Sequence, residues 1–267
     1  MYKVGFIGSG KMAEAMISGL IANGFASPCE IVVSDISGER LTAINHAYGV
    51  RVTLSNSEVV ALAKICVLAV KPQQLGEVLG DLASLISANH LMVSIAAGKS
   101  TSYLESLLPA GRVVRVMPNI ACLVGAGMNV YTRGSRATAD DGTLVANLLG
   151  CCGRAMEVPE SLFDAVTALS GSGPAFFAYL LDQMVEGAVK EGMPREQALI
   201  LGAQTMAGTA QLLLQKNMSP AALAAAVTSA KGTTAAGREV LESQVTADIL
   251  GRTIQAAARR SRELGKT

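Results

Sequence analysis

Two clusters of glycines and hydroxyls, more than two hundred residues apart, carry the chemistry legible in this chain. The first, Val4-Gly5-Phe6-Ile7-Gly8-Ser9-Gly10-Lys11-Met12-Ala13, has the spacing of a dinucleotide fingerprint. Gly8 permits a tight turn, Gly10 leaves room for a pyrophosphate against the backbone, and Ala13 lets a helix pack closely on a strand. Ile7, Ser9, Lys11 and Met12 complete a loop whose free amides, at a helix N-terminus, suit phosphate oxygens. The second cluster, Thr228-Ser229-Ala230-Lys231-Gly232-Thr233-Thr234, sets a glycine and two hydroxyls at a helix start. Free amides there bind a carboxylate, and a threonine hydroxyl holds a neighbouring nitrogen or oxygen. Alone, this is an N-cap with anion-binding capacity.

Other candidate ligands lie between the two clusters. Asp35 stands about 22 residues after Ala13, where an acidic residue receives the ribose hydroxyls of NAD and repels a 2′-phosphate. Ser34 and Ser37 offer hydrogen-bond donors, and Arg40 reaches a phosphate if its loop curls back, so NADH and NADPH both stay open; the plain alternative is that Ser37 and Arg40 open a solvated helix. Asn56 is placed with this cofactor group. Ala69-Val70-Lys71-Pro72 and Ala97-Gly98 fall at the carboxyl ends of later strands, where an open parallel sheet presents its ligands. Asn119, in Met117-Pro118-Asn119, offers a donor and an acceptor to a nicotinamide carboxamide or a substrate, unless it is a simple turn asparagine. The two histidines, His46 and His90, are expected at outer helix ends or loops with no acid beside them. With no imidazole acid in view, the acceptor of a hydride must already be electrophilic, a condition a protonated imine meets better than a ketone.

The elements that must position these residues change character midway. Short apolar strands are expected at 3–7, 31–34, 51–53, 65–70, 91–95 and 112–117, separated by helices at 11–22, 39–48, 57–62 and 73–86. Strands apolar throughout, alternating with helices, indicate a parallel sheet covered on both faces. Residues 128–131 and 154–158, with a helix at 140–151, complete its edge. From Ser161 the period is helical: Phe176, Phe177, Leu180, Leu181, Met184 and Val185 share a wide apolar face, and Pro194 and Pro220 start further helices. Ser170-Gly171-Ser172 are read as small flexible residues before a helix started by Pro174. The expectation is an α/β fold: a Rossmann-type dinucleotide-binding domain over 1–160, then an all-α domain over 161–267.

Composition narrows the class. In 267 residues the 22 basic and 21 acidic side chains nearly cancel and are interspersed, with no basic stripe, aromatic series or zinc-finger spacing to argue for nucleic acid. Half the residues are hydrophobic and 16% are charged, more apolar than a lone helical bundle needs, which points to helices of a second subunit as partners. Residues 198–215 carry no charge, but Gln204, Thr205, Thr209 and Gln211 interrupt them and favour a buried helix over a membrane span. The first strand begins at the N-terminus without a leader, so a cytoplasmic protein is expected. Five cysteines show no metal-ligand spacing, and neither a metal nor a structural disulfide is expected.

In order and spacing, the stretches 5–13, 69–72, 93–98, 117–127, 167–175 and, most specifically, 227–237 resemble those of pyrroline-5-carboxylate reductases, across essentially the whole chain. The resemblance implies reduction of the cyclic imine acid 1-pyrroline-5-carboxylate to L-proline by NADPH or NADH, the last step of proline biosynthesis. It implies that Gly232, Thr233 and their amides cradle the substrate carboxylate, with Ser229 at the loop edge and the Thr234 hydroxyl facing the ring nitrogen as the catalytic group. It also implies a domain-swapped homodimer and leaves open a ring of dimers. Three departures stand out. Ala230-Lys231 replaces a common Pro-Gly, Ile120-Ala121 replaces Thr-Pro, and Asp35-Ile36 replaces Asn-Arg or Ser-Pro beside the adenosine ribose. A related imine or hydroxy-acid dehydrogenase, and a noncatalytic NAD(P) sensor in which Thr233 and Thr234 are idle, are the competing readings.

Overall fold

The computed structural model describes residues 2–242 and 244–265. Its first compact unit comprises the residues up to Ser172 and those from Ala257 onward, and its second is Gly173–Ala256. An eight-stranded sheet organises the first unit: β1 (Val4–Ile7), β2 (Ile31–Ser34), β3 (Arg51–Thr53), β4 (Ile65–Leu68), β5 (Leu91–Ser94), β6 (Arg112–Met117), β7 (Gly127–Arg133) and β8 (Gly153–Glu157). Spatially the strands run β3-β2-β1-β4-β5-β6-β7-β8. The first six are parallel and form the doubly wound order, whose direction of winding reverses between β1 and β4.

The helices α1 (Lys11–Ala22), α2 (Gly38–Tyr48), α3 (Asn56–Leu62), α4 (Leu75–Leu82), α5 (Thr101–Leu107) and α6 (Ala139–Gly150) cover the sheet. Successive side chains of a strand point to opposite faces, and the core divides accordingly. Phe6, Val33, Val67 and Val93 pack with Met16, Ile17 and Leu20 of α1. Ile7, Val32, Leu68 and Met92 pack with Leu75 and Leu79 of α4. Burial of each such side chain contributes roughly 1.5–3 kcal/mol.

One expectation fails at the sheet edge. β7 runs antiparallel to β6, and β8 pairs parallel with β7. The link between β6 and β7 holds only the short 3₁₀ turn Ile120–Val124, too little chain for the crossover that parallel pairing requires, so the chain reverses. Helix α6 supplies that crossover between β7 and β8. A second difference lies at Ser170-Gly171-Ser172. After α7 (Phe163–Val166) these residues continue a π-helical turn, Thr167–Gly171, closed by Ser172 N donating to Thr167 O at 2.8 Å. At Gly171 the turn lies against Met117, whose Cε would stand 2.5 Å from a Cβ at this position.

Helices α8 (Gly173–Lys190), α9 (Arg195–Gln215), α10 (Pro220–Ala226), α11 (Thr233–Leu241) and most of α12 (Gln244–Leu264) form the second unit. Gly202 of α9 faces Leu181 of α8, whose Cδ1 would lie 2.6 Å from a Cβ there. Arg195 ties the pair together through Asp182 and Glu186. An apolar groove of about 600 Å³, lined by Phe177, Leu181, Met184, Leu201 and Leu213 among others, runs along the two helices. Among the described residues no helix is long and apolar enough to cross a membrane.

Candidate functional site

The Gly-rich loop sits where the winding of the sheet reverses. Gly8 has φ +98°, and a Cβ on it would lie 2.7 Å from Ala69 O, so the turn after β1 closes onto the end of β4 only with glycine. Gly10 faces open space and caps α1 without a side chain, which leaves the first amides of that helix available. A cleft of about 350 Å³ opens here, lined by Gly8, Gly10, Asp35, Ser37, Asn56, Ala69, Val70 and Lys71. Eight sequence-selected residues thus meet at one cleft, together with Ile36, noted in sequence only as a departure beside the ribose, and Gln74 and Val78, which sequence reasoning passed over. Ile36 is 85% exposed, a large apolar side chain on the lip.

Several selected residues support the cleft rather than line it. Ile7, Ser9 and Ser34 are fully buried, and Lys11 and Met12 begin α1 beside it. Ser34 Oγ donates to Asn56 Oδ1 at 2.7 Å, linking the end of β2 to the start of α3. Asp35 accepts from Ser9 N and Ser9 Oγ, both at 2.7 Å, and from Ser37 N at 3.0 Å. Partial burial of Asp35 raises its pKa, but the donors Ser37 N, Ser9 Oγ and Ser9 N outweigh it and hold the carboxyl below its ordinary value. Arg40 does not turn to the cleft: its Nε donates to Ser9 O at 2.6 Å and its Nη2 pairs with Glu14.

Pro72, Ala97 and Gly98 stand at a separate cavity of about 620 Å³ at the ends of β4 and β5. Lys99, Tyr103, Thr167, Ser261 and Leu264 share it, and none of these was singled out from the sequence as a site residue. Lys99 Nζ lies 4.9 Å from the centroid of the Tyr103 ring. Position after Ala97-Gly98 was a usable signal for Lys99; Ser261 and Leu264 arrive from the far end of the chain and carry none.

Asn119 at the end of β6 is committed to the protein frame. Its Oδ1 accepts from Met128 N at 3.1 Å and its Nδ2 donates to Ser170 O at 3.3 Å, so it fastens the π-turn to the sheet. Beside it, Ser170 Oγ is buried without a hydrogen-bond partner among the described residues. Farther along, Glu160 accepts from Thr101 N at 2.8 Å, Thr101 Oγ1 at 2.5 Å and Arg115 Nη1 at 2.8 Å. Burial works against the charged form of Glu160, yet hydrogen bonds from Thr101 and Arg115 win and lower its pKa.

The second cluster lies in the second unit as a tight turn entering α11. Gly232 caps the helix and its N–H donates to Ser229 O at 3.1 Å; a Cβ on Gly232 would meet Ser229 Oγ at 2.3 Å. Thr233 and Thr234 occupy the first two helical positions, so their amides are among those with no partner inside the helix. Thr228 Oγ1 donates to Ala224 O at 2.6 Å and accepts from Arg238 Nη1 at 3.2 Å, which fixes the loop to the body of its unit. Lys231 adopts φ +59°, a left-handed conformation that glycine takes without cost.

Two buried thiols elsewhere are blunted. Burial pushes the Cys66 and Cys152 thiols up to about 12, so neither forms a thiolate near neutrality. His90 Nδ1 accepts from Ser87 N at 3.0 Å, which leaves Nε2 to donate to Val60 O at 3.2 Å; the ring pins two loops. Among the described residues no group of three histidine, cysteine, aspartate or glutamate side chains is placed to hold a metal ion.

Comparison with known proteins agrees with both units. Residues 160–264 match the family model for pyrroline-5-carboxylate reductase dimerisation, and residues 3–98 match that for NADP oxidoreductase, coenzyme F420-dependent. A pyrroline-5-carboxylate reductase of Methanosarcina acetivorans is 43% identical over 99% of this chain and 98% of its own. One from Arabidopsis thaliana is 39% identical over 100% and 96%. The solved pyrroline-5-carboxylate reductase of Coxiella burnetii superposes with a TM-score of 0.95 at 33% identity, covering 100% of this chain and 99% of that one. The Plasmodium falciparum enzyme, solved with NADP bound, gives 0.85 at 28% identity, covering 99% and 98%. A dinucleotide cleft at the sheet's reversal point, a Gly-Thr-Thr helix start and whole-length identity above 40% place this chain in the pyrroline-5-carboxylate reductase family.

Proposed function

We propose that this protein reduces 1-pyrroline-5-carboxylate to L-proline, taking hydride from NADH or NADPH, as a homodimer in the cytoplasm. What supports the reading most is that two complementary binding chemistries stand on one chain that matches its relatives from end to end: the open cleft at Gly10 and the Gly232-Thr233-Thr234 helix start. The first unit fits a dinucleotide. Gly8 closes the turn against the Ala69 backbone as no residue with a Cβ could, Gly10 leaves room for a pyrophosphate on the α1 amides, and Ile36 offers an apolar surface for an adenine ring. Ala97 and Gly98, at the neighbouring cavity, would border the nicotinamide end. When bound, the nicotinamide cofactor supplies the hydride that adds to C5 of the imine.

The chain's own part is placement and charge. Amides at Thr233 and Thr234 hold the substrate carboxylate, favoured by the positive end of α11, while Gly232 makes the turn that presents them. The Thr234 hydroxyl sits against the ring nitrogen and either passes it a proton from solvent or steadies the one it carries. Ser229 shapes the loop, and Asn119 acts through the backbone it positions. Such fixing of two reactants converts an encounter into an oriented, nearly unimolecular step. Residues 161–267 form the dimerisation and substrate-binding domain of this reading, with a ring of dimers as its higher assembly, to be tested by the mass of the protein in solution.

Following cofactor absorbance on addition of 1-pyrroline-5-carboxylate tests the reaction. Substrate-dependent oxidation of NADH or NADPH is expected; cofactor binding without oxidation would instead favour another imine or a hydroxy acid.

A further inference from the structure

The adenosine end of the cleft holds a fixed negative charge at Asp35. Asp35 cannot swing aside freely, because three donors from Ser9 and Ser37 grip its carboxylate, and the same donors keep it ionised. Oδ1 accepts only from Ser37 N among these, so it retains a lone pair for a ribose hydroxyl, a neutral donor. Among the described residues, Asp35 and Lys71 are the charged side chains that line the cleft. They follow β2 and β4, which flank β1, so roughly 10 Å of sheet separates the two strand ends. Arg40, the nearest cation in sequence, is tied under the loop by Ser9 O and its charge is balanced by Glu14. Ser34 has spent its hydroxyl proton on Asn56, and Ser37 keeps only a neutral donor.

A 2′-phosphate would bring about two negative charges to this carboxylate, whereas a 2′-hydroxyl would donate to it. We infer that this chain is an NADH-preferring member of its family, with Asp35 as the discriminating residue and Ser9 and Arg40 as positioning residues that hold the carboxylate and the glycine loop in place. The turnover arm of the test rests on the reductase reading; the binding arm does not.

The test is to titrate the full-length protein with NADH and with NADPH, following nicotinamide fluorescence, and to repeat both titrations on Asp35→Asn. Wild type is expected to bind NADH at least about tenfold more tightly. Asn at this position removes the charge and keeps one carbonyl oxygen, enough for the two Ser9 donors but not for Ser37 N as well, and should narrow the ratio about tenfold, mainly by tighter NADPH binding. Equal affinities, or tighter NADPH, in wild type would overturn the inference whatever the variant does. A ratio untouched in a folded Asp35→Asn protein would remove Asp35 as its cause. No binding of either cofactor would overturn the nucleotide site and the preference together. Tighter NADH binding without oxidation by 1-pyrroline-5-carboxylate would uphold the preference and sink only the reductase reading.

Discussion

The two compact units solve burial in opposite ways. In the first, whole strands are sealed: every residue of β1, β2, β4 and β5 is buried, and their side chains fill cores on both sheet faces. In the second, Gly173 and Val185 on α8 and Ala198 on α9 are buried, while Met184 is 68% exposed, Leu201 56% and Val240 75%. Apolar surface of that extent has a use in a protein only if something covers it, and a dimerisation family model spanning these helices identifies a second copy as the cover. The first unit closes its own core, whereas the second is half of one.

The strongest way to break that contrast is to charge the helical face. Met184→Asp combined with Leu201→Glu places carboxylates where a single protomer already exposes its side chains, so the protomer tolerates them and the dimer does not. We predict a monomer in sedimentation equilibrium and turnover reduced by about a hundredfold or more, with NADH affinity changed by no more than about threefold because the cleft lies within the first unit. A variant that stays fully active as a monomer would sink the dimeric reading.

Next in size is Thr234→Ala. Removal of its hydroxyl should lower kcat by about tenfold to a hundredfold while the KM for NADH stays near wild type, and Thr234→Ser should restore most of the loss. Steady-state rates on all three proteins decide the matter; equal losses in the Ala and Ser variants would assign Thr234 a packing role.

Glu160 sharpens the contrast from the side of the first unit. Glu160→Gln leaves the mostly buried Arg115 without its ion pair and should lower stability by about 2 kcal/mol in urea melts. Because the folded pKa of Glu160 lies below its ordinary 4.5, the contribution is complete above that value and disappears as pH falls through the lower, folded pKa. The wild-type and variant stability curves should therefore converge below pH 4.5, and parallel curves down to full acid unfolding would show that the ion pair contributes nothing.

The smallest effect concerns the second unit's own loop. Lys231→Gly relieves a left-handed lysine, a conformation costing about 1–2 kcal/mol, against the greater freedom of glycine in the unfolded chain, about 0.5–1 kcal/mol. A net gain of about 0.5 kcal/mol is expected in thermal melts, and a loss would mean that the lysine side chain makes a favourable contact in the assembled protein.

Much of this was legible one residue at a time. The glycine fingerprint, the acid after the second strand and the apolar strands are local patterns, and local sterics and periodicity fixed β1 to β6 and placed Gly8, Gly10, Asp35 and the Gly232 cap. Reading failed where the outcome depended on what meets what. The reversal at β7 follows from the length of the link after β6 and could have been counted. The π-turn at Thr167–Gly171 is fastened to the sheet by Asn119 Nδ2 donating to Ser170 O, a contact between residues about fifty positions apart.

The sequence by itself determined the nucleotide-binding class and the change from sheet to helices, because each rests on short-range spacing that backbone geometry enforces, and the order of its motifs along the whole chain carried the family resemblance. Only the tertiary structure decided that Asn119 and Arg40 brace the protein frame, that Asp35 is gripped by Ser9, and that Lys99, Thr167 and Ser261 share a cavity. Hydrogen-bond partners and cavity walls are chosen by distance in space, which chain order does not record.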